Sequence, residues 1–165
     1  MKMTIRKSVF ETNSSSTHAI CISNNIPDVR RDVVEFTLDD FGWESDYYYG
    51  IHSKACYLWS AIYGICRFYV GCDILVYMSR IKNILSHYNI KAEFQIEDDG
   101  YFYGIDHDEE LKDFVNDVTT NEDLFMRYLF GDDSFIITGN DNVDEENLLS
   151  VSEYEDSHTI YYKGN

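Results

Sequence analysis

The chain predicts an α+β fold, a single domain with a mainly antiparallel sheet and about four helices packed on it. Three observations carry this. Apolar residues recur with period two near both ends and with a period of about 3.6 in between. Strand-like and helix-like segments are grouped rather than alternating as βαβ units. An Asp99-Gly100 dipeptide sits between two alternating runs, the pattern of a hairpin turn. With 165 residues, 44% apolar content, 14 Tyr, 10 Phe and 2 Trp, the chain has enough apolar mass for one core. One Pro and nine Gly leave no obvious linker, so residues 1–165 are expected to form one domain.

Taken in order, Thr4 to Phe10 and His18 to Ser23 alternate around a Ser/Thr/Asn stretch and read as strand, loop and strand. Asp32 to Leu38 reads as a third strand, with Val34, Phe36 and Leu38 on one face. From Ser53, a plausible N-cap, Tyr57, Leu58, Ala61, Ile62, Ile65, Phe68 and Tyr69 mark one helical face. Asp73 caps a second helix running to about Tyr88. Ile90 to Ile96 and Tyr101 to Ile105 form the expected hairpin. Asp108 to Val118 and Asn121 to Phe130 are short helices, the second stopped by Gly131. Ser134 to Thr138 and His158 to Lys163 complete the strands, with a Gly139 to Asn142 turn after the first.

The net charge of -17 is not evenly spread. Residues 1–92 hold ten Lys or Arg and nine Asp or Glu, a near-neutral net +1. Residues 93–165 hold three basic residues, Lys112, Arg127 and Lys163, against 21 acidic ones, net -18. A surface of that sign repels phosphate backbones and steers basic partners toward it. Direct nucleic-acid binding through the second half is therefore disfavoured. The candidate partner-binding face comprises Glu97, Asp98 and Asp99 at the hairpin tip, Asp106, Asp108, Glu109 and Glu110 leading into a helix, and Asp113 and Asp117, which share a face at i, i+4.

No stretch of 18 apolar residues is present, and the first ten residues lack an apolar signal region, so a cytoplasmic protein without membrane contact is expected. Cys21, Cys56, Cys66 and Cys72 show no C-x-x-C spacing and are expected to be reduced, mostly buried thiols. Asp106 to Glu110 with His107, together with His52 and His158, is rich in ligand-type side chains, but nothing matches a zinc or EF-hand spacing. Neither a metal nor a cofactor is expected.

The most unusual string is Phe10 to His18. Glu11, Asn13, Ser14, Ser15, Ser16 and His18 can present hydroxyls and N–H groups to an anion, or place an imidazole beside a serine; a self-satisfied loop is the plainer reading. A second candidate is an aromatic contact loop with Trp43, Tyr47, Tyr48 and Tyr49, since such side chains combine contact area with a polar handle.

Arg6 to His18, Phe41-Gly42-Trp43-Glu44 with Lys54-Ala55-Cys56-Tyr57-Leu58, and Ile136 to Asn142 resemble a family of small phage and mobile-element proteins with an F-E-T-N-S-S-S-T-H signature. The resemblance brings no established activity. It implies a phage-type accessory protein inside a bacterium, a setting where counter-defence inhibitors are common. Joined to the acidic half, it leads to the expectation of an anti-CRISPR-like inhibitor that binds a basic, nucleic-acid-handling defence effector by partial nucleic-acid mimicry. The alternative is a small enzyme or a nucleotide- or phosphate-binding protein using Asn13 to His18.

Overall fold

The computed structural model describes residues 16–42, 44–96, 104–105, 108–140 and 150–163. Six strands and four α-helices occur among them: β1 (Ser16–Ser23), β2 (Val33–Phe36), β3 (Asp46–Tyr48), α1 (Ile51–Phe68), α2 (Ile74–Ser86), β4 (Lys91–Phe94), α3 (Lys112–Thr120), α4 (Glu122–Phe130), β5 (Phe135–Asn140) and β6 (His158–Lys163). A 3-10 turn, Asp108–Leu111, leads into α3, and another, Ser150–Tyr154, precedes β6. The α+β expectation holds.

The main sheet is antiparallel in the order β3-β5-β1-β6. In its register His18 of β1 lies opposite Thr138 on one side and Lys163 on the other. One face carries Ile20, Ile22 and Ile136 into the large core with the helices. The other carries Ala19, Cys21, Phe135 and Ile137 into a smaller cluster closed by Val151 and Ile160. With both faces covered, every residue of β1 is buried. The expected polar loop therefore ends sooner than its composition suggests, because Ser16 and Thr17 already belong to the strand.

β2 and β4 form a separate parallel pair, Val33 beside Lys91 through Phe36 beside Phe94. The expected hairpin lies only in part among the described residues. The segment read as a hairpin arm pairs backward with β2, after the chain has passed through α1 and α2. Most of the proposed return strand, together with Asp99-Gly100, lies outside the described residues; Ile105 makes one parallel bridge to Phe41. The Thr4 to Phe10 strand also lies outside them.

α1 is the central element. The sequence marks one apolar face, yet every residue from Lys54 to Ile62 is buried, because α1 contacts β2 and all three other helices. Trp59 binds it to the small sheet, donating from Nε1 to the Gln95 carbonyl at 2.8 Å and packing on Phe94. The helix starts earlier than expected, with Gly50 rather than Ser53 at its N-cap and no side-chain cap bond. α2 and α4 begin as their sequences indicate: Asp73 accepts from the Leu75 N–H at 2.9 Å and Asn121 from the Leu124 N–H at 3.1 Å.

Gly131 stops α4 for a different reason from the one its type suggests. Its φ of -64° is open to any residue. Space decides instead: a β-carbon there would stand 2.4 Å from the Arg127 carbonyl oxygen and 2.7 Å from Ser134 Oγ. Ser134 Oγ donates to that same carbonyl at 2.6 Å and accepts from the Ser23 N–H at 2.9 Å, so it cannot retreat without breaking both. Gly131→Ala is expected to lower unfolding free energy by about 1–3 kcal/mol, measured by urea denaturation.

Cys66 and Cys72 are disulfide-bonded, correcting the expectation of four reduced thiols. The short turn between α1 and α2, with Gly71 at φ +95°, brings their Cα atoms to 4.7 Å. Cys21 and Cys56 are free and buried, and burial pushes the Cys21 thiol up to about 12. Among the described residues, no helix is long and apolar enough to cross a membrane.

Candidate functional site

The sequence blocks that stand out converge at one end of the main sheet. Ser16 and His18, two residues apart on β1, share its inner face. Tyr57 reaches them from α1, Gly42 approaches from the loop before β3, and Thr138 pairs with His18 across β5. Thr138 Oγ1 donates to the Glu44 carbonyl at 2.8 Å, which ties Glu44 to the sheet. Lys163, at the end of β6, closes the group. It donates from Nζ to the Ser16 carbonyl and to Ser16 Oγ, at 2.5 and 2.9 Å.

All four side chains at the centre are buried: Ser16, His18 and Tyr57 are fully so, and Lys163 is 1% exposed. His18 Nδ1 lies 2.8 Å from Tyr57 Oη. Burial holds the Tyr57 phenol well above its ordinary range, so it remains protonated. Which of the two groups donates follows from the imidazole tautomer. Burial, reinforced by the Lys163 ammonium, drops the His18 pKa to about 3, against a smaller opposing pull from the Gly42 carbonyl. His18 is therefore a neutral imidazole. Its Nε2 is buried without a hydrogen-bond partner among the described residues.

A second buried cation, Lys54, lies on α1. Lys54 Nζ donates to the carbonyls of Gly131 and Ser134 at 2.9 and 3.1 Å, and the Lys54 carbonyl accepts from Tyr128 Oη at 2.7 Å. Burial lowers its pKa to about 8, with Asp132 pulling the other way. Its partners are main-chain carbonyls, so it holds the α4–β5 turn against α1.

The expected acidic face is placed in part. Glu97, Asp98, Asp99 and Asp106 lie outside the described residues, as do Glu11, Asn13, Ser14, Ser15 and Trp43. Asp108 opens the 3-10 turn. Glu109, Glu110, Asp113 and Asp117 are exposed along that turn and α3. Asp117 accepts from Tyr161 Oη at 2.9 Å, which joins α3 to β6 and, with burial as the larger cause, holds that phenol far above its usual range. The three cations of the acidic half have partners of their own among the described residues. Lys163 is buried, Arg127 donates to Asn24 Oδ1 and the Asp123 carbonyl, and Lys112 lies over the Tyr69 ring at 3.3 Å.

Tyr47 and Tyr48 of the expected aromatic loop lie in β3, with Tyr49 just after it. Tyr48 turns inward, edge-on to Phe41. Tyr47 and Tyr49 are 42% and 53% exposed on the opposite face, stacked on one another beside Phe135. They do not meet the His18 group.

Sequence reasoning missed Lys163 and Tyr57 as site residues. For Lys163 the signal was available, since alternation along β6 places it on the same face as the inward Tyr161. For Tyr57 the helical period announces only core.

No family model, curated protein or solved structure matches the chain. Its class rests on the fold and on these two sites, one buried and polar, one exposed and acidic.

Proposed function

We propose that the protein is a phage-type inhibitor that binds a basic, nucleic-acid-handling bacterial defence effector through the acidic half of the chain, residues 93–165, and acts by occupancy without chemistry. The supporting observation is that Glu109, Glu110, Asp113 and Asp117 are exposed on adjoining elements within a half of the chain that carries a net charge of -18. An array of carboxylates on a rigid helix offers a basic groove a substitute for part of the phosphate track it normally holds. Such a surface accelerates encounter and fixes partner choice, and its binding weakens with salt.

The buried position of Ser16 and His18 argues against the alternative of a solvent-facing nucleophilic loop, since a serine nucleophile needs an accessible hydroxyl beside a base. The test is inhibition of a panel of purified RNA-guided and restriction nucleases at low salt, using the wild-type chain and a variant carrying Glu109→Lys, Glu110→Lys, Asp113→Lys and Asp117→Lys. Wild type is expected to inhibit at least one nuclease, and the reversed variant to lose about tenfold or more in affinity. Equal potency of the two chains, or no inhibition anywhere in the panel, refutes the proposal.

A further inference from the structure

We infer that the outer face of the main sheet, at its β3 edge, docks an arginine-bearing segment of a protein partner on a cluster of tyrosines. Alternation sends Tyr48 inward and Tyr47 outward, and Tyr49 follows Tyr47. The Tyr47 and Tyr49 rings lie 8° from parallel with centroids 6.3 Å apart. Tyr49 packs on Phe135 at 5.4 Å, and Phe135 meets Tyr154 edge-on at 5.1 Å. His158 adjoins Tyr154 at 5.2 Å, its own ring held by the Asp133 carbonyl 2.9 Å from Nε2 and by Ser157 Oγ 2.8 Å from Nδ1. Phe135 is buried, but Tyr47, Tyr49 and Tyr154 are 42%, 53% and 39% exposed. Three large amphipathic rings left in water around one buried phenylalanine have the composition of a contact surface.

Charge decides what the cluster takes. Its rings come from residues 32–53 and 128–162, which hold six and nine Asp or Glu and no Lys or Arg. Asp46 precedes Tyr47, Glu153 and Glu155 flank Tyr154, and all three carboxylates are exposed. A guanidinium is planar and weakly hydrated, so it stacks on a tyrosine face while pairing with a neighbouring carboxylate; an ammonium is a strongly hydrated point charge and does this less well. Nucleic-acid bases also stack on such rings, but a single strand needs cations along its phosphates, and these two segments supply none. Strand addition at the β3 edge is disfavoured, because the Tyr47 N–H is taken by Asp46 Oδ1 at 2.7 Å. The cluster is also separate from the α3 carboxylates. Tyr161 of β6 pairs with the inward Ile20 and bonds Asp117, whereas Tyr47 pairs with the outward Ile137, so the two surfaces lie on opposite sides of the sheet. Recognition here requires only an arginine side chain and does not rest on the inhibitor reading.

The experiment is tyrosine-ring NMR of the full chain, titrated separately with a blocked tetra-arginine peptide, a blocked tetra-lysine peptide and an oligothymidylate, with sodium chloride as the matched-ionic-strength control. Saturable shifts of the Tyr47, Tyr49 and Tyr154 ring signals with tetra-arginine are expected, with tetra-lysine binding about threefold more weakly or worse. Tyr47→Ser with Tyr49→Ser, both at exposed positions, should weaken tetra-arginine binding about fivefold, read at the Tyr154 ring. Tyr154→Ser, read at the Tyr47 ring, should weaken it in the same direction. Rings that do not respond to tetra-arginine, equal affinity for the arginine and lysine peptides, undiminished affinity in the double serine variant, or saturation by the oligothymidylate overturns the inference. The charge-reversed α3 variant should retain the ring response, so failure of the inhibitor reading and failure of this surface are separately visible.

Discussion

Acidification is expected to destabilise the protein through His18, beginning well above the carboxylate range. An unfolded histidine titrates near 6.5, while in the fold His18 titrates at about 3. Between those values the unfolded chain binds the proton and the folded one does not, so stability falls as pH falls. The contribution is complete above pH 6.5 and gone below about 3. Its full size is about 5 kcal/mol, of which about 2 kcal/mol is lost by pH 5. That is a large share of an ordinary domain's stability.

Protonation of carboxylates relieves self-repulsion in a chain of net charge -17 and acts in the opposite direction. A variant isolates the His18 term. His18→Gln keeps an acceptor for the Tyr57 hydroxyl and cannot titrate. Urea unfolding of both chains from pH 7 to pH 4 should show wild type losing stability relative to His18→Gln by an amount that grows with each step. Parallel curves would show that His18 is solvated or already charged.

At the other end of the scale Lys54 is expected to make the protein more stable as pH rises. Its folded pKa of about 8 lies below the ordinary lysine value of 10.5. Between the two the folded state gives up a proton that the unfolded chain retains, so the gain grows across that window and amounts to about 3 kcal/mol. Above pH 10 the buried phenols of Tyr57 and Tyr128 work against it, since the unfolded chain ionises tyrosines that the fold keeps protonated. The difference in unfolding free energy between wild type and Lys54→Met, followed from pH 7 to pH 10, should move in favour of wild type. A difference independent of pH would place the Lys54 ammonium in water.

Much of the fold was legible in the sequence, where a local signal and the tertiary outcome agree. Asp73 and Asn121 cap the helices their side chains announce, and Leu111, Phe114, Val115 and Val118 are buried as the 3.6 period requires. The readings that changed involve long-range decisions. Nothing local in Lys91–Phe94 says that its partner is Val33–Phe36, and nothing in α1 says that its polar side will be enclosed along with its apolar side.

The site divides in the same way. Ser16 and His18 were singled out by composition, but a run of small hydroxyl residues reads as a loop until two neighbouring strands are known to cover it. Alternation along β6 turns Lys163 inward, but its partner Ser16 depends on β6 lying beside β1, a contact between chain positions separated by 147 residues. The acidic asymmetry needed no structure. Its placement on the exposed side of α3 did.

The central claim is that the acidic surface occupies a groove meant for nucleic acid. The most direct measurement is competition on a nuclease that the protein inhibits: the affinity of the nuclease for its nucleic acid, measured across increasing concentrations of the protein. Mutual exclusion is expected, with apparent nucleic-acid affinity falling in proportion to added protein and the effect shrinking as salt is raised. A ternary complex that binds nucleic acid with undiminished affinity would contradict it.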